Sequence, residues 1–218
     1  MREKLPTRKR VALRRMAVAA VALFLINYFM HLGLLLPRQA IHEVEERKGT
    51  GWTRTIDRIW VPEIHKTHLA YLSQNEHVTM LSTAYFSPLG WMPGFGNALD
   101  CSGGEPLYAG YTLMNRNERS AMLFFGRVDD PEIERIEIVL YAEEYDSMSH
   151  AVNGREVCRI TDVEILDQSD RRYFLVKNGE EWDFARDFRP RPHVAAYNAA
   201  GEEIFFVEIT NWNSSHYG

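Results

Sequence analysis

The chain has 218 residues, 45% of them hydrophobic. That is one domain's worth of sequence with enough apolar material for a core, which excludes a wholly disordered polymer. The formal charge of −5 is uneven: seven of the 25 basic and one of the 30 acidic residues precede residue 16, leaving 18 against 29, a net of −11. So acidic a body repels phosphate backbones, which excludes nucleic acid as its partner.

Residues 1–15 are a basic arm in which Arg2, Lys4, Arg8, Lys9, Arg10, Arg14 and Arg15 are opposed by Glu3 alone. Residues 16–36 carry no charge, and 21 helical residues suffice to cross a hydrocarbon core of about 30 Å. A transmembrane signal anchor is therefore expected, with the lipid bilayer as its partner. Because the cations lie upstream, the arm is placed in the cytoplasm and everything after the span outside it, as a single-pass membrane protein. A cleaved signal peptide is the rival, but the apolar run is longer than usual and Arg38-Gln39-Ala40 lacks a small residue three positions before the cut. Asn27 and His31 stand four apart, so they share one helix face, suited either to a partner helix or to snorkelling.

Residues 37–76 read as a stalk with a short helix. Pro37 to Lys48 is a short polar helix ended by Gly49-Thr50-Gly51, and a second helix is expected from Pro62 to Ser73, where Ile64, His68, Tyr71 and Leu72 recur at helical spacing. That helix would put His65 and His68 on one face, without the His-Glu-x-x-His of helical zinc sites.

From residue 77 to 218 an extracytoplasmic domain is expected, because the period changes to two. Val78, Met80, Ser82, Ala84 and Phe86 alternate with Thr79, Leu81, Thr83 and Tyr85. Ser87 to Gly104 has Pro88, Pro93 and several glycines without periodicity, and reads as a long loop presenting Trp91, Phe95 and Asp100 for binding. Leu107 to Leu113 and Met122 to Val128 form a hairpin about Asn115 to Glu118. Ile136, Ile138 and Leu140 give the cleanest half-buried strand. Further strands are expected at Glu156 to Thr161, Arg172 to Lys177, His193 to Asn198 and Glu203 to Ile209, the last two joined by Ala199-Ala200-Gly201. The class is mainly β: an N-terminal transmembrane helix, then an antiparallel β-sandwich of immunoglobulin-like type with one or two short helices.

Phe125-Gly126-Arg127-Val128-Asp129-Asp130-Pro131-Glu132-Ile133-Glu134-Arg135-Ile136-Glu137-Ile138 and Ala196-Tyr197-Asn198-Ala199-Ala200-Gly201-Glu202-Glu203-Ile204 resemble small membrane-anchored cell-envelope proteins of Bacillus-type Gram-positive bacteria. The resemblance covers roughly the C-terminal 90 residues. It implies location and fold, and carries no catalytic residue.

Asp100-Cys101-Ser102-Gly103-Gly104 is similar to the nucleophile loop of chymotrypsin-like proteases, but Cys101 separates the acid from the serine and no histidine motif accompanies it. His77, His150, His193 and His216 are scattered. Glu143-Glu144-Tyr145-Asp146 and Asp162 to Asp170 do not fit a calcium loop, so no metal site, cofactor or catalytic residue is legible. Cys101 and Cys158, the two cysteines of an exported domain, are expected to form a disulfide. The reading is a membrane-tethered extracytoplasmic binding module with a protein or cell-envelope partner. The alternatives are a tethered hydrolase using Cys101 or Ser102, or an accessory subunit of a signalling complex.

Overall fold

A computed structural model of the chain describes residues 7–30, 34–116, 119–145, 152–168, 171–178 and 190–209. His31, Asp146, His150, Asp170, His216 and the turn at 117–118 lie outside the described residues, as do the side chains of Asn27, Glu143 and Glu144. The described residues form two helices, α1 (Thr7–Met30) and α2 (Pro37–Lys48), and twelve strands.

Three four-stranded sheets, all antiparallel, make up the body. Sheet A has the order β1 (Arg54–Trp60), β2 (His68–Gln74), β3 (Val78–Ser87), β4 (Gly90–Asp100). Sheet B runs β5 (Leu107–Arg116), β6 (Arg119–Val128), β10 (Arg171–Lys177), β9 (Leu166–Gln168). Sheet C runs β12 (Glu203–Glu208), β11 (Pro190–Tyr197), β7 (Arg135–Tyr145), β8 (Val152–Ile160). The expected mainly β class and its eight strands are present, including both hairpins, with Gly201 at φ 79° in the second. An immunoglobulin-like sandwich has two sheets, and the described residues form three.

The sheets are layered A, B, C. Met122, Phe124 and Val128 of β6 face Ile136, Ile138 and Leu140 of β7 and Val194 of β11 in one core. Leu123 and Phe125, pointing the other way, join Ala70 and Leu72 of β2 and Leu81 of β3 in a second. Sheet B is thus buried on both faces, which is why Ala121 to Phe125 is an unbroken apolar run. Within the sheet Gly126 has no room for a side chain, because the ring of Phe174, its partner on β10, and the Tyr108 carbonyl of β5 fill the space a Cβ would take.

α2 covers the outer face of sheet A, with Ala40 and Ile41 against Leu69, Tyr71 and Ala84. Its start is fixed by Gln39, whose Oε1 accepts the Leu35 and Leu36 N–H groups at 3.1 Å each, and its end by Gly49 at φ 68°. Beneath it Glu45, 1% exposed, is held by Arg38 at 3.2 Å, His42 Nδ1 at 2.5 Å and the Thr53 hydroxyl. The segment 37–76 is therefore no stalk. The helix from Pro37 to Lys48 is present, but the one expected from Pro62 is replaced by a turn and β2. A strand covered on both sides loses its alternation, and Leu69 to Leu72 then imitate a buried helix turn.

α1 stands apart. Every residue from 9 to 26 is exposed, Leu23 and Phe24 included. Among the described residues no helix is long and apolar enough to cross a membrane. The uncharged part of α1 runs from Met16 to Met30, about 22 Å against about 30 Å of hydrocarbon. The expected unbroken span to Leu36 is corrected by the path of the chain: Leu34 bridges to Trp91, and Leu36 is the N-cap of α2.

Candidate functional site

The expected recognition loop is strand β4, hairpinned to β3 through Ser87–Gly90. A bulge opposite Thr83 reverses its faces, with Phe95 N–H donating to Thr83 Oγ1 at 3.1 Å and no room for a side chain at Gly94. As a result Trp91 lies on the outer face against α2, whereas Phe95 is in the core between sheets A and B. Asp100, at the far end of the strand, is exposed. The three residues do not converge on one surface.

Asp100 instead organises its own turn. Its Oδ1 accepts the Ser102 hydroxyl at 2.6 Å and the Ser102 N–H at 3.0 Å, and these bonds hold its carboxyl below the usual range. Ser102 therefore donates to a carboxylate, and among the described residues neither its hydroxyl nor the Cys101 thiol is hydrogen-bonded to a histidine side chain. Burial pushes the Cys101 thiol up, only partly countered by Thr79 and Arg127. A raised thiol is a poor nucleophile. His77, the nearest histidine in sequence, gives its carbonyl to Cys101 N–H at 2.6 Å and turns its ring to solvent beside Glu76. His65 bonds Thr67 at 2.8 Å in the turn, and His68 is buried at the start of β2, so the expected helical pair does not exist.

Cys101 and Cys158 are not joined. Cys101 ends sheet A, while Cys158, opposite Leu140 on β8, faces the core between sheets B and C. The whole of sheet B stands between them, which corrects the expected disulfide.

The chemically densest place lies elsewhere, around Arg127. Arg127, 4% exposed on the sheet-A side of β6, donates from Nη2 to the Cys101 carbonyl at 2.8 Å and to Asp129 Oδ2 at 2.5 Å. Its guanidinium lies 5.0 Å from the centre of the Tyr108 ring. Beside it a cleft of about 590 Å³ is lined by Asp129, Asp167, Gln168, Arg171 and Arg172. Arg172 ties the β6–β7 connection through the Ile133 carbonyl at 2.6 Å and the Asp130 carbonyl, and Arg171 reaches the Glu76 carbonyl at 3.1 Å. Three guanidiniums with two carboxylates suit a small polar or zwitterionic group held by ion-paired hydrogen bonds. Among the described residues the lining of the cleft holds no nucleophile or histidine. One signal for it was in the sequence: Arg127 shares its parity with Leu123 and Phe125, a charge at an inward strand position.

No protein family, no curated protein and no solved structure matches the chain.

Proposed function

We propose that the chain is a membrane-tethered binding module of the cell envelope, with α1 in the bilayer, the N-terminal arm in the cytoplasm and the three-sheet body outside. The observation that carries this reading is the exposure of α1: over residues 9–26 none of the described residues covers it, and its uncharged stretch from Met16 onward is suited to lipid or a partner. The 15 uncharged residues of α1 are supplemented at one end by Arg14 and Arg15, whose stems can reach the headgroups. At the other end the chain stays uncharged to Leu36. A short span is accommodated by local thinning of the bilayer at modest cost. The charge pairs that line the polar cleft suit binding.

The test is topology. A C-terminal reporter active only outside the cytoplasm is expected to work, and the chain is expected to stay with the membrane after carbonate extraction. A mature protein beginning near Ile41, or one recovered from the medium, would overturn the tether.

A further inference from the structure

We infer that the hairpin end of sheet A is a second membrane contact, which lies in the headgroup layer beside the place where the chain leaves α1. The inference rests on the tether reading and adds how the body sits. Outside α1, eight large apolar side chains are exposed among the described residues, and five of them, Leu35, Leu36, Trp60, Phe86 and Leu89, gather at this end.

Strand register shows that the aromatics share a face. Trp60 is opposite Leu69, Leu69 is opposite Ala84, and two residues beyond Ala84 comes Phe86, opposite Trp91. Residues opposed across antiparallel strands point the same way, so Trp60, Phe86 and Trp91 all stand on the outer face. Phe86 and Trp91 meet edge to face at 5.6 Å. Leu89 crowns the turn between their strands, 53% exposed.

The occupant is identified by continuity with α1. Leu34 exchanges two backbone hydrogen bonds with Trp91, at 2.9 and 2.7 Å. Leu34 follows Met30 by four positions, so this end of the sheet is held within about 14 Å of the end of α1. Whatever receives α1 meets Trp91 and Phe86 at its boundary. Indole and phenyl rings favour the bilayer interface, where apolar faces bury while polar edges stay wet. The charged groups around the patch suit an anionic surface only in part: Arg58 and Lys66 are exposed, Asp57 is half-buried, and Glu63 is engaged by Lys177 at 2.5 Å.

The experiment uses the full chain in phosphatidylcholine–phosphatidylglycerol vesicles containing lipid brominated near the headgroup, a short-range quencher of indole emission. Three single-tryptophan variants keep Trp60, Trp91 or Trp52, with the remaining tryptophans changed to Phe. Trp52 is the control, since it precedes Arg54, which pairs with Gln74 at the opposite end of sheet A. Flotation with the vesicles, with strong quenching of Trp60 and Trp91 and little of Trp52, is expected. Phe86→Asp with Leu89→Asp should relieve that quenching while the chain still floats. Flotation without preferential quenching overturns the contact, points to a protein cover for the patch, and leaves the tether standing. Failure to float overturns both readings. As a check on folding, Trp60→Phe in the otherwise unaltered chain should remove part of the quenched emission, and no change there also overturns the contact.

Discussion

Sheets A and C flank the same middle layer but are covered differently, and the difference decides how each is held and how each reads. Sheet C buries one face in the core, with Ile136, Ile138 and Leu140 fully covered. Its other face is roofed by its own side chains: Glu137 takes Arg159 at 2.7 Å and the Tyr197 hydroxyl at 3.1 Å, and His193 stacks on Phe206 at 5.0 Å. Sheet A is closed by sheet B on one side and α2 on the other, so β2 is buried from His68 to Ser73. Apolar packing is required on both faces of A and on one face of C. Polar networks on an open face contribute far less than packing in a closed one.

The largest effect is therefore expected in the middle layer. Phe174→Ala empties a fully buried ring site on sheet B and should cost about 3–5 kcal/mol in urea unfolding of the detergent-solubilised chain. On the cover of sheet A, Ile41→Ala should cost about 2–5 kcal/mol, although Ile41 belongs to a helix whose composition reads as a polar stalk. Val207→Ala on exposed β12 should fall within about 0.5 kcal/mol. If Ile41→Ala proved as mild as Val207→Ala, α2 would be no structural layer and the contrast between the sheets would fail.

Asp129→Asn sharpens the comparison from the polar side, because it removes the one carboxylate bonded to a guanidinium buried in the closed layer. A loss of about 1–3 kcal/mol is expected, since Arg127 stays buried with its charge intact. In the side-chain roof of sheet C, Glu137→Gln should cost less, about 1 kcal/mol, because the amide keeps an acceptor oxygen for Arg159 and Tyr197. Its signature is pH dependence. Burial works to raise the Glu137 pKa, but hydrogen bonds from Arg159 and Tyr197 and the charges of Arg135 and Arg159 outweigh it, holding the carboxyl below its ordinary 4.5. A depressed folded value contributes stability that is complete above the unfolded value and lost as pH falls through the folded one. Unfolding midpoints followed downward from about pH 6 should therefore converge for wild type and Glu137→Gln in acid and separate near neutrality. Parallel curves would show that the network does not hold the carboxylate charged.

The same contrast accounts for what was legible in the sequence. Ile136, Ile138 and Leu140 alternate with Glu137 and Tyr141 because only one face of β7 is dry, and every strand of sheet C was readable. β2 reads as a helix because both its faces are covered, and β4 as a loop because Pro93, Gly94 and Gly96 disguise a bulged strand lying close under α2. β9 has three residues, too few to show a period. Of the candidate residues, Cys101 alone touches the polar cleft's neighbourhood, through its carbonyl and not its thiol. A backbone acceptor leaves no mark on composition. Arg127 did leave one, but the apolar run around it drew attention to packing.

The smallest expected effect concerns the two thiols and tests whether sheet B truly separates the flanking layers. Non-reducing mass spectrometry of the chain purified from its membrane should find Cys101 and Cys158 unlinked, since both are free thiols and Cys158 packs against the core between sheets B and C. In a Cys158→Ser variant, a thiol reagent should reach Cys101 only when the structure opens, because Cys101 is 4% exposed and burial holds its thiol protonated. The labelling rate should then follow the unfolding equilibrium as urea is raised. Changing Cys101 itself to Ala should matter little, as its one bond into the cleft runs from its backbone carbonyl to Arg127 and survives the substitution. Rapid labelling independent of urea would mean that the Asp100–Glu105 turn opens on its own. A covalent Cys101–Cys158 link would mean that the end of sheet A reaches past sheet B, and the layered order A, B, C would have to be abandoned.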